Sequence, residues 1–343
     1  MGPGAGTEGG NVLFEGSYEA LLKGDTLTGR LLREHTGLKT DLRTPGDWYE
    51  LRDAHLHNLR HLSIKLPLGV LTVIAGVAGS GKSSLMEVFE TEYEGEIISI
   101  GQKDIGASLR STPATYTGVA DDIRKLFAKK SGKPLGLYSF NGPGGCPVCG
   151  GKGVIVEDMA FMEAVETVCE ACGGLRYSKE ALEFKLEGLN IAQVMDLTVR
   201  QASKLFHGTS IEKELRPLME VGMPYLHLNQ ALSTLSGGEL QRMKLASHLR
   251  DKGQIFILDE PTNGLHLQDI RNMIDLFDRL VDQGNSLFVI EHNLEVLKAA
   301  DYVIEVGPGG GAEGGSILYE GTPAGMLLCP ESVTAPYLQK SLE

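Results

Sequence analysis

Apolar and polar positions follow two different regimes along the chain. Residues 70–75 (VLTVIA) form a continuous apolar run bounded by glycines, the pattern of a strand covered on both faces. Residues 83–89 then have helical character. Two more apolar runs, 255–258 and 287–290, flank a helical stretch at 265–282, and 302–306 adds a further strand. This alternation predicts an α/β unit with a largely parallel sheet. Residues 106–232 lack it and read as a long, mainly helical insertion. Residues 23–50 are polar with mixed charge and contain Pro45-Gly46, which reads as a linker.

The pattern also repeats itself. Residues 2–17 (GPGAGTEGGNVLFEGS) and 307–322 (GPGGGAEGGSILYEGT) match at ten positions, and the likeness runs into an apolar strand pattern. The second copy closes the α/β unit behind the strand at 302–306, whereas the first has no such strand before it. The expectation is that residues 1–50 are the tail of a preceding, homologous unit plus a linker, as in the second half of a tandem protein or one product of a split gene.

With 343 residues, 42% of them hydrophobic, the chain is long enough for a stable core and too apolar for wholesale disorder. It has no apolar run of about 18 residues and no signal-peptide pattern at its start, so a cytoplasmic protein without a membrane span is expected. The net charge of −13 argues against coating nucleic acid by bulk charge. It leaves room for a local patch. Residues 103–133 hold seven basic against three acidic side chains, and Arg110, Arg124, Lys125, Lys129 and Lys130 are the candidate DNA contacts there. A solvated helix face explains residues 124–133 almost as well.

Gly76-Val77-Ala78-Gly79-Ser80-Gly81-Lys82-Ser83 follows the first strand, opens the first helix and fits G-x-x-x-x-G-K-[ST]. Backbone N–H groups of such a loop wrap a triphosphate, so Gly76, Gly79, Ser80, Gly81, Lys82, Ser83 and Ser84 are the candidate ATP-binding set. Lys82 is expected on the β- and γ-phosphates and the Ser83 hydroxyl on Mg²⁺. The strand at 255–258 runs into Asp259 and Glu260, which suit a Mg²⁺-linked carboxylate and a general base that polarises water. His292 follows the strand LFVIE and is placed to sense the γ-phosphate. Ser236 and Glu239, in LSGGE, have capping-box spacing ahead of a helix.

Cys146, Cys149, Cys169 and Cys172 form C-x2-C-x19-C-x2-C. Four thiolates at that spacing point to a closed, structural zinc site, with a redox or disulfide role as the alternative. Glu157, Asp158, Glu163 and Glu166 make the segment between the pairs acidic, a poor surface for phosphate.

LSGGE resembles the signature motif of the ATP-binding cassette (ABC) family. That resemblance implies that Ser236, Gly237 and Gly238 close over a nucleotide held by another cassette, and that Gln102 is the Q-loop glutamine. Longer stretches, among them GVAGSGKSSL (76–85), YSFNGPGGCPVCGGKG (138–153), LSTLSGGELQRMKLAS (232–247) and ILDEPTNGLH (257–266), resemble the second cassette of the UvrA family. The fold implied is an ABC-type P-loop cassette divided as 51–105 and 233–327 for the ATP-binding core, 106–232 for a signature insertion carrying the zinc module (146–172), and 328–343 for a tail. The function implied is an ATP hydrolase, with ATP, Mg²⁺ and Zn²⁺ as cofactors, that drives recognition of damaged duplex DNA in excision repair. Its implied partners are a first-cassette half or a second copy, and UvrB-type repair proteins. A paralogue acting on drug-bound DNA is the alternative. A transporter ATPase fits poorly, because transporter cassettes usually carry Asp where His266 stands and lack the cysteine insertion.

Overall fold

The computed structural model describes residues 2, 10–34, 36–101, 111–157 and 165–343. Gln102 and Arg110, with Asp158 and Glu163 of the acidic segment, lie outside the described residues. The chain forms two compact units, Met1–Asp104 with Lys244–Glu343, and Ile105–Met243.

The first unit contains strands β1 (Asp47–Ala54), β2 (Leu62–Leu68), β3 (Leu71–Ala75), β4 (Ile97–Ile100), β5 (Ile255–Asp259), β6 (Ser286–Ile290), β7 (Tyr302–Gly307) and β8 (Ser316–Gly321). Six of them make one sheet in the order β8-β7-β3-β6-β5-β4, parallel throughout except for β8. β3 and β6 are buried along their whole length, which is why their sequences are unbroken apolar runs. On one face, Ile74, Phe288 and Ile290 meet the β1–β2 ribbon through Leu51 and Leu66 and the helix Lys82–Glu92 through Leu85 and Phe89. The helix Leu267–Asp282 packs on the sheet through Ile270, Met273, Phe277 and Leu280, spaced for one helical face. The α/β, largely parallel architecture expected from the sequence is present.

The segment read as a linker is more ordered than its polarity implies. It holds the helix Leu27–Arg33, capped by the Thr26 side chain and preceded by the short helix Tyr18–Lys23, and β1 already begins at Asp47. Between them, Lys39 and Arg43 are tied to Asp301, whose side chain is 1% exposed: Lys39 Nζ lies 2.8 Å from Oδ1 and Arg43 Nη1 3.0 Å from Oδ2. Asp301 also accepts the Leu71 N–H at 3.0 Å, so a buried carboxylate joins this segment to the start of β3. Burial pushes the Asp301 carboxyl up, but the bonds from Lys39, Leu71 and Arg43 outweigh it and hold it below the usual carboxylate range. Its stabilisation is therefore full above a pH of about 4 and is lost as pH falls through the depressed folded value. Asp301→Asn is expected to cost about 1–3 kcal/mol at neutral pH: the buried site loses a charged acceptor, while Asp278 still pairs with Lys39 and Arg43. Urea unfolding between neutral and acidic pH checks this: the variant should lose part of the wild-type acid dependence.

The first repeat copy also departs from its strand pattern. Val12 and Leu13 are 69% and 50% exposed, and among the described residues the segment pairs through a single bridge between Gly2 and Asn11. The second copy forms β8 because β7 supplies an antiparallel partner; a strand without a ladder leaves its backbone groups unpaired.

The second unit is mainly helical. The helix Val119–Ser131 buries Ile123 and Phe127, and Phe127 meets Tyr138 and Phe184 with ring centroids 5.3 and 5.8 Å apart. A hairpin, Val154–Glu157 with Val165–Val168, rises between the two cysteine pairs.

Candidate nucleotide site and four-cysteine centre

The chain leaves β3 through Gly76 at φ 132°, where a Cβ would lie 2.0 Å from the Val306 carbonyl oxygen, so no larger residue fits. Gly81 at φ 109° caps the helix Lys82–Glu92 and contributes no side-chain hydrogen bond, which leaves the first-turn N–H groups for another acceptor. Ser80 Oγ is buried without a hydrogen-bond partner among the described residues. Lys82 Nζ donates to the Gly76 and Val77 carbonyls at 2.8 Å each. Burial lowers the Lys82 pKa against the opposing pull of Glu260 and Asp259. Unpaired donors, a buried cation and a helix N-terminus together fit a polyphosphate. Ser83 is exposed in the first turn, and Ser84 Oγ lies 3.2 Å from His57 Nδ1.

The loop is braced from behind by residues that the sequence did not single out. Asn58 Nδ2 donates to the Gly79 and Gly311 carbonyls at 3.0 Å each. The Gly311 and Gly315 N–H groups donate to the Gly79 and Ser80 carbonyls at 3.0 and 2.8 Å. The glycine-rich second repeat copy is thus the back wall of the phosphate loop. Its glycines were the available signal, because close backbone approach excludes a Cβ: at Gly315 one would lie 1.8 Å from the Asn58 carbonyl oxygen.

β5 and β6 bring the acidic groups to the same end of the sheet. Asp259 ends β5, and burial, followed by the neighbouring Glu260 and Glu291, raises its pKa while Lys82 opposes the rise. Such crowding of negative charge suits a divalent cation, so the Asp259 carboxylate fits Mg²⁺. Glu260 sits at φ 49°, a conformation uncommon outside glycine, with its N–H on the Ile290 carbonyl at 2.9 Å. His292 Nδ1 lies 3.8 Å from Glu260 Oε1.

Glu291, which the sequence reading passed over, holds this arrangement in place. Its 1%-exposed carboxylate accepts the Thr262 N–H at 3.0 Å and the Thr262 hydroxyl on one oxygen. The other oxygen accepts the His292 and Asn293 N–H groups at 3.0 and 3.1 Å. One charged group therefore fixes the turns after both β5 and β6. Glu291→Ala is expected to destabilise the fold by about 2–4 kcal/mol, because buried donors lose a charged acceptor. Urea unfolding monitored by circular dichroism measures it.

In the second unit, Ser236 and Glu239 form the expected capping box: the Glu239 N–H donates to Ser236 Oγ at 3.3 Å, and Ser236 N donates to Glu239 Oε2 at 2.8 Å. Tyr225 OH donates to the other Glu239 oxygen at 2.6 Å. Gly237 and Gly238 occupy the first turn of the helix Gly237–Ser247. Of the basic candidates on the helix Val119–Ser131, Arg124 is bound to Asp121 and donates to Ser139 Oγ at 3.0 Å, and Lys125 pairs with Asp122 at 3.0 Å. Lys129 and Lys130 are exposed in the last turn. Two of the four thus already have acidic neighbours on their own helix.

The four cysteines converge. All are buried free thiols, and their sulfurs lie within 4.8 Å of one another. The Cys149 and Cys172 sulfurs are 3.8 Å apart, against an edge of about 3.8 Å for a tetrahedron with metal–sulfur bonds of about 2.3 Å. Gly153 N donates to Cys149 Sγ at 3.2 Å. The Arg176 guanidinium lies 3.8 Å over the Phe140 ring and donates to the Gly151 carbonyl at 2.9 Å, tying the two cysteine knuckles together. The cluster can hold a metal ion.

A phosphate loop at the end of β3, paired with strand-end carboxylates and a histidine on a parallel sheet, defines a nucleotide-binding cassette of the P-loop class. The family model described as ABC transporter matches residues 59–263, and the chain belongs to that family. Its relatives there are UvrA proteins. It is 43% identical over 365 residues to UvrABC system protein A of Thermus thermophilus, covering 96% of this chain and 38% of that protein. It is 42% identical over 381 residues to that of Lactococcus lactis subsp. lactis, covering 100% of this chain and 40% of the relative. The crystal structure of UvrA2 from Deinococcus radiodurans superposes with a TM-score of 0.91 at 39% identity, over 100% of this chain and 46% of that one. The chain therefore spans less than half the length of these relatives. Among the described residues no helix is long and apolar enough to cross a membrane.

Proposed function

We propose that this chain is a UvrA-type ABC ATPase cassette that couples ATP binding and hydrolysis to recognition of damaged duplex DNA in nucleotide excision repair. The observation that carries the reading is the convergence of Lys82, Asp259, Glu260 and His292 at one end of the sheet, in a chain similar to UvrA along its whole length. The loop N–H groups and Lys82 bind the phosphates, and Ser83 and Asp259 hold Mg²⁺, which supplies charge neutralisation at the phosphoryl oxygens. Glu260 takes the proton from the attacking water. His292 contacts the γ-phosphate and reports its presence to the turn held by Glu291. Ser236, Gly237 and Gly238 present a capped helix N-terminus to a nucleotide on a partner cassette, either a first-cassette chain or a second copy. Gln102 completes the site as the Q-loop residue. The four cysteines hold Zn²⁺ as a structural site, with no coordination position left for chemistry.

DNA contact is assigned to Lys125, Lys129 and Lys130 with Arg110, and Arg124 acts by holding that helix. UvrB-type proteins are the expected recipients of the complex, and the site of action is the cytoplasm. Four buried thiols in one cluster and the UvrA likeness give no support to a transporter role. Binding of the ATP-loaded protein to lesion-bearing and intact duplex, titrated with salt, tests the assignment. Tighter binding to damaged duplex supports it, and equal affinity at every salt concentration removes it. ATP turnover should rise when a first-cassette partner is added; equal rates would remove the composite-site reading.

A further inference from the structure

The connection between β1 and β2 carries ligand-type side chains that the nucleotide site does not use. Asp53, His55 and His61 each offer one ligand atom, and the three atoms lie within 4.8 Å of one another. His61 Nδ1 is 2.8 Å from Asp53 Oδ1, and His55 Nδ1 is 3.9 Å from Asp53 Oδ2. With zinc bonds of about 2.0–2.1 Å, the edges of a tetrahedral site measure about 3.3 Å, which lies between these two separations. The two imidazoles already stack, with centroids 5.2 Å apart.

The backbone is bent to make this grouping. The β1–β2 register shifts between Leu51 and Ala54, and Asp53 and His61 both lie at left-handed φ, 55° and 53°. Each such residue costs about 1–3 kcal/mol. The Asp53–His61 pair, with side chains 67% and 71% exposed, returns at most about 1 kcal/mol in water. His55 Nδ1 also lies 2.7 Å from the Asp53 carbonyl oxygen, a hydrogen bond of about 0.5–1.5 kcal/mol. Together these exposed contacts reach only the low end of that strain, and a shared metal ion would return more. Imidazole and carboxylate ligands suit a borderline divalent transition metal.

We propose that Asp53, His55 and His61 form a surface site for a divalent transition metal of the zinc type, separate from the four cysteines. Its place in the chain gives it a consequence. Between His55 and His61 stand His57, on Ser84 Oγ, and Asn58, on the Gly79 and Gly311 carbonyls. A metal bound at 53, 55 and 61 closes this segment into a short loop and presses Asn58 against the phosphate loop.

The test titrates Zn²⁺ into the full chain, already loaded with zinc at its cysteines, by calorimetry, beside His61→Ala and the double variant His55→Ala/His61→Ala. Amide hydrogen exchange of residues 53–61 is followed with and without added Zn²⁺. The wild type should bind one equivalent more than the double variant and exchange more slowly in this segment when zinc is present. His61→Ala should weaken that equivalent on the order of tenfold or more, with both variants keeping the wild-type melting temperature in chelator. Equal zinc stoichiometry in the wild type and a folded double variant would overturn the proposal, as would zinc-insensitive exchange at 53–61. Because the count is a difference between chains with the same cysteines, it does not depend on the cysteine centre holding zinc.

Discussion

Glu260→Gln is expected to lower kcat for ATP hydrolysis by about 10²–10⁴-fold while ATP remains bound. The amide keeps the size of the carboxylate but cannot accept the proton of the attacking water. The Glu260 backbone is held at φ 49° by its N–H on the Ile290 carbonyl, a restraint that the substitution does not touch. Loss of turnover should therefore come without loss of the site. Lys82 feels both Glu260 and Asp259, so removing one negative charge leaves the phosphate-binding cation paired with the other. Single-turnover hydrolysis beside equilibrium binding of a fluorescent ATP analogue separates the two quantities. Turnover within about threefold of wild type would show that another group activates the water.

Removal of the zinc proposed at the four cysteines is expected to produce the largest structural change. A structural zinc site contributes about 10–16 kcal/mol of apparent binding free energy, as much as the whole stability of a typical domain. The hairpin Val154–Glu157 and Val165–Val168 beside it is two-stranded, with Val168 64% exposed, and adds little stability of its own. Cys169→Ser, at the most buried of the four positions, is expected to release zinc and open residues 140–178 to protease. ATP binding should persist, because the phosphate loop belongs to the other compact unit. Zinc content by elemental analysis, paired with limited proteolysis, decides the matter. A variant with full zinc and wild-type protease resistance would remove the four-thiolate assignment.

The parts of the nucleotide site legible in the sequence are those whose chemistry is local. Residues 76–83 carry their whole logic within one turn, and Asp259-Glu260 stands out because a buried strand makes two adjacent carboxylates conspicuous. Ser236 and Glu239 likewise state their own cap. Asn58, Glu291 and the glycines at 310–315 act on partners far away in the chain, and no spacing rule reaches that distance. The helix Leu27–Arg33 was hidden for another reason. It is only two turns long and buries little beyond Leu31, so its apolar period never emerged from a polar background. Charge counting places Arg124 in a basic window but carries no geometry, so its bonds to Asp121 and Ser139 came only from the structure. The first repeat copy shows the limit of pattern reading, since a strand sequence becomes a strand only where another backbone meets it.

The wall of glycines behind the phosphate loop also sets an order of events during synthesis. The loop is made before the second unit, but the amides of Gly311 and Gly315 that hold its carbonyls are made only after that unit and strands β5 to β7. Contacts this distant in the chain form late and slowly, because a long loop must close before they can act. A nascent chain therefore carries a complete phosphate-binding motif throughout synthesis of the second unit without the frame that gives it shape. Nucleotide capture becomes a late event in the maturation of this protein, coupled to arrival of the segment that ends its sheet.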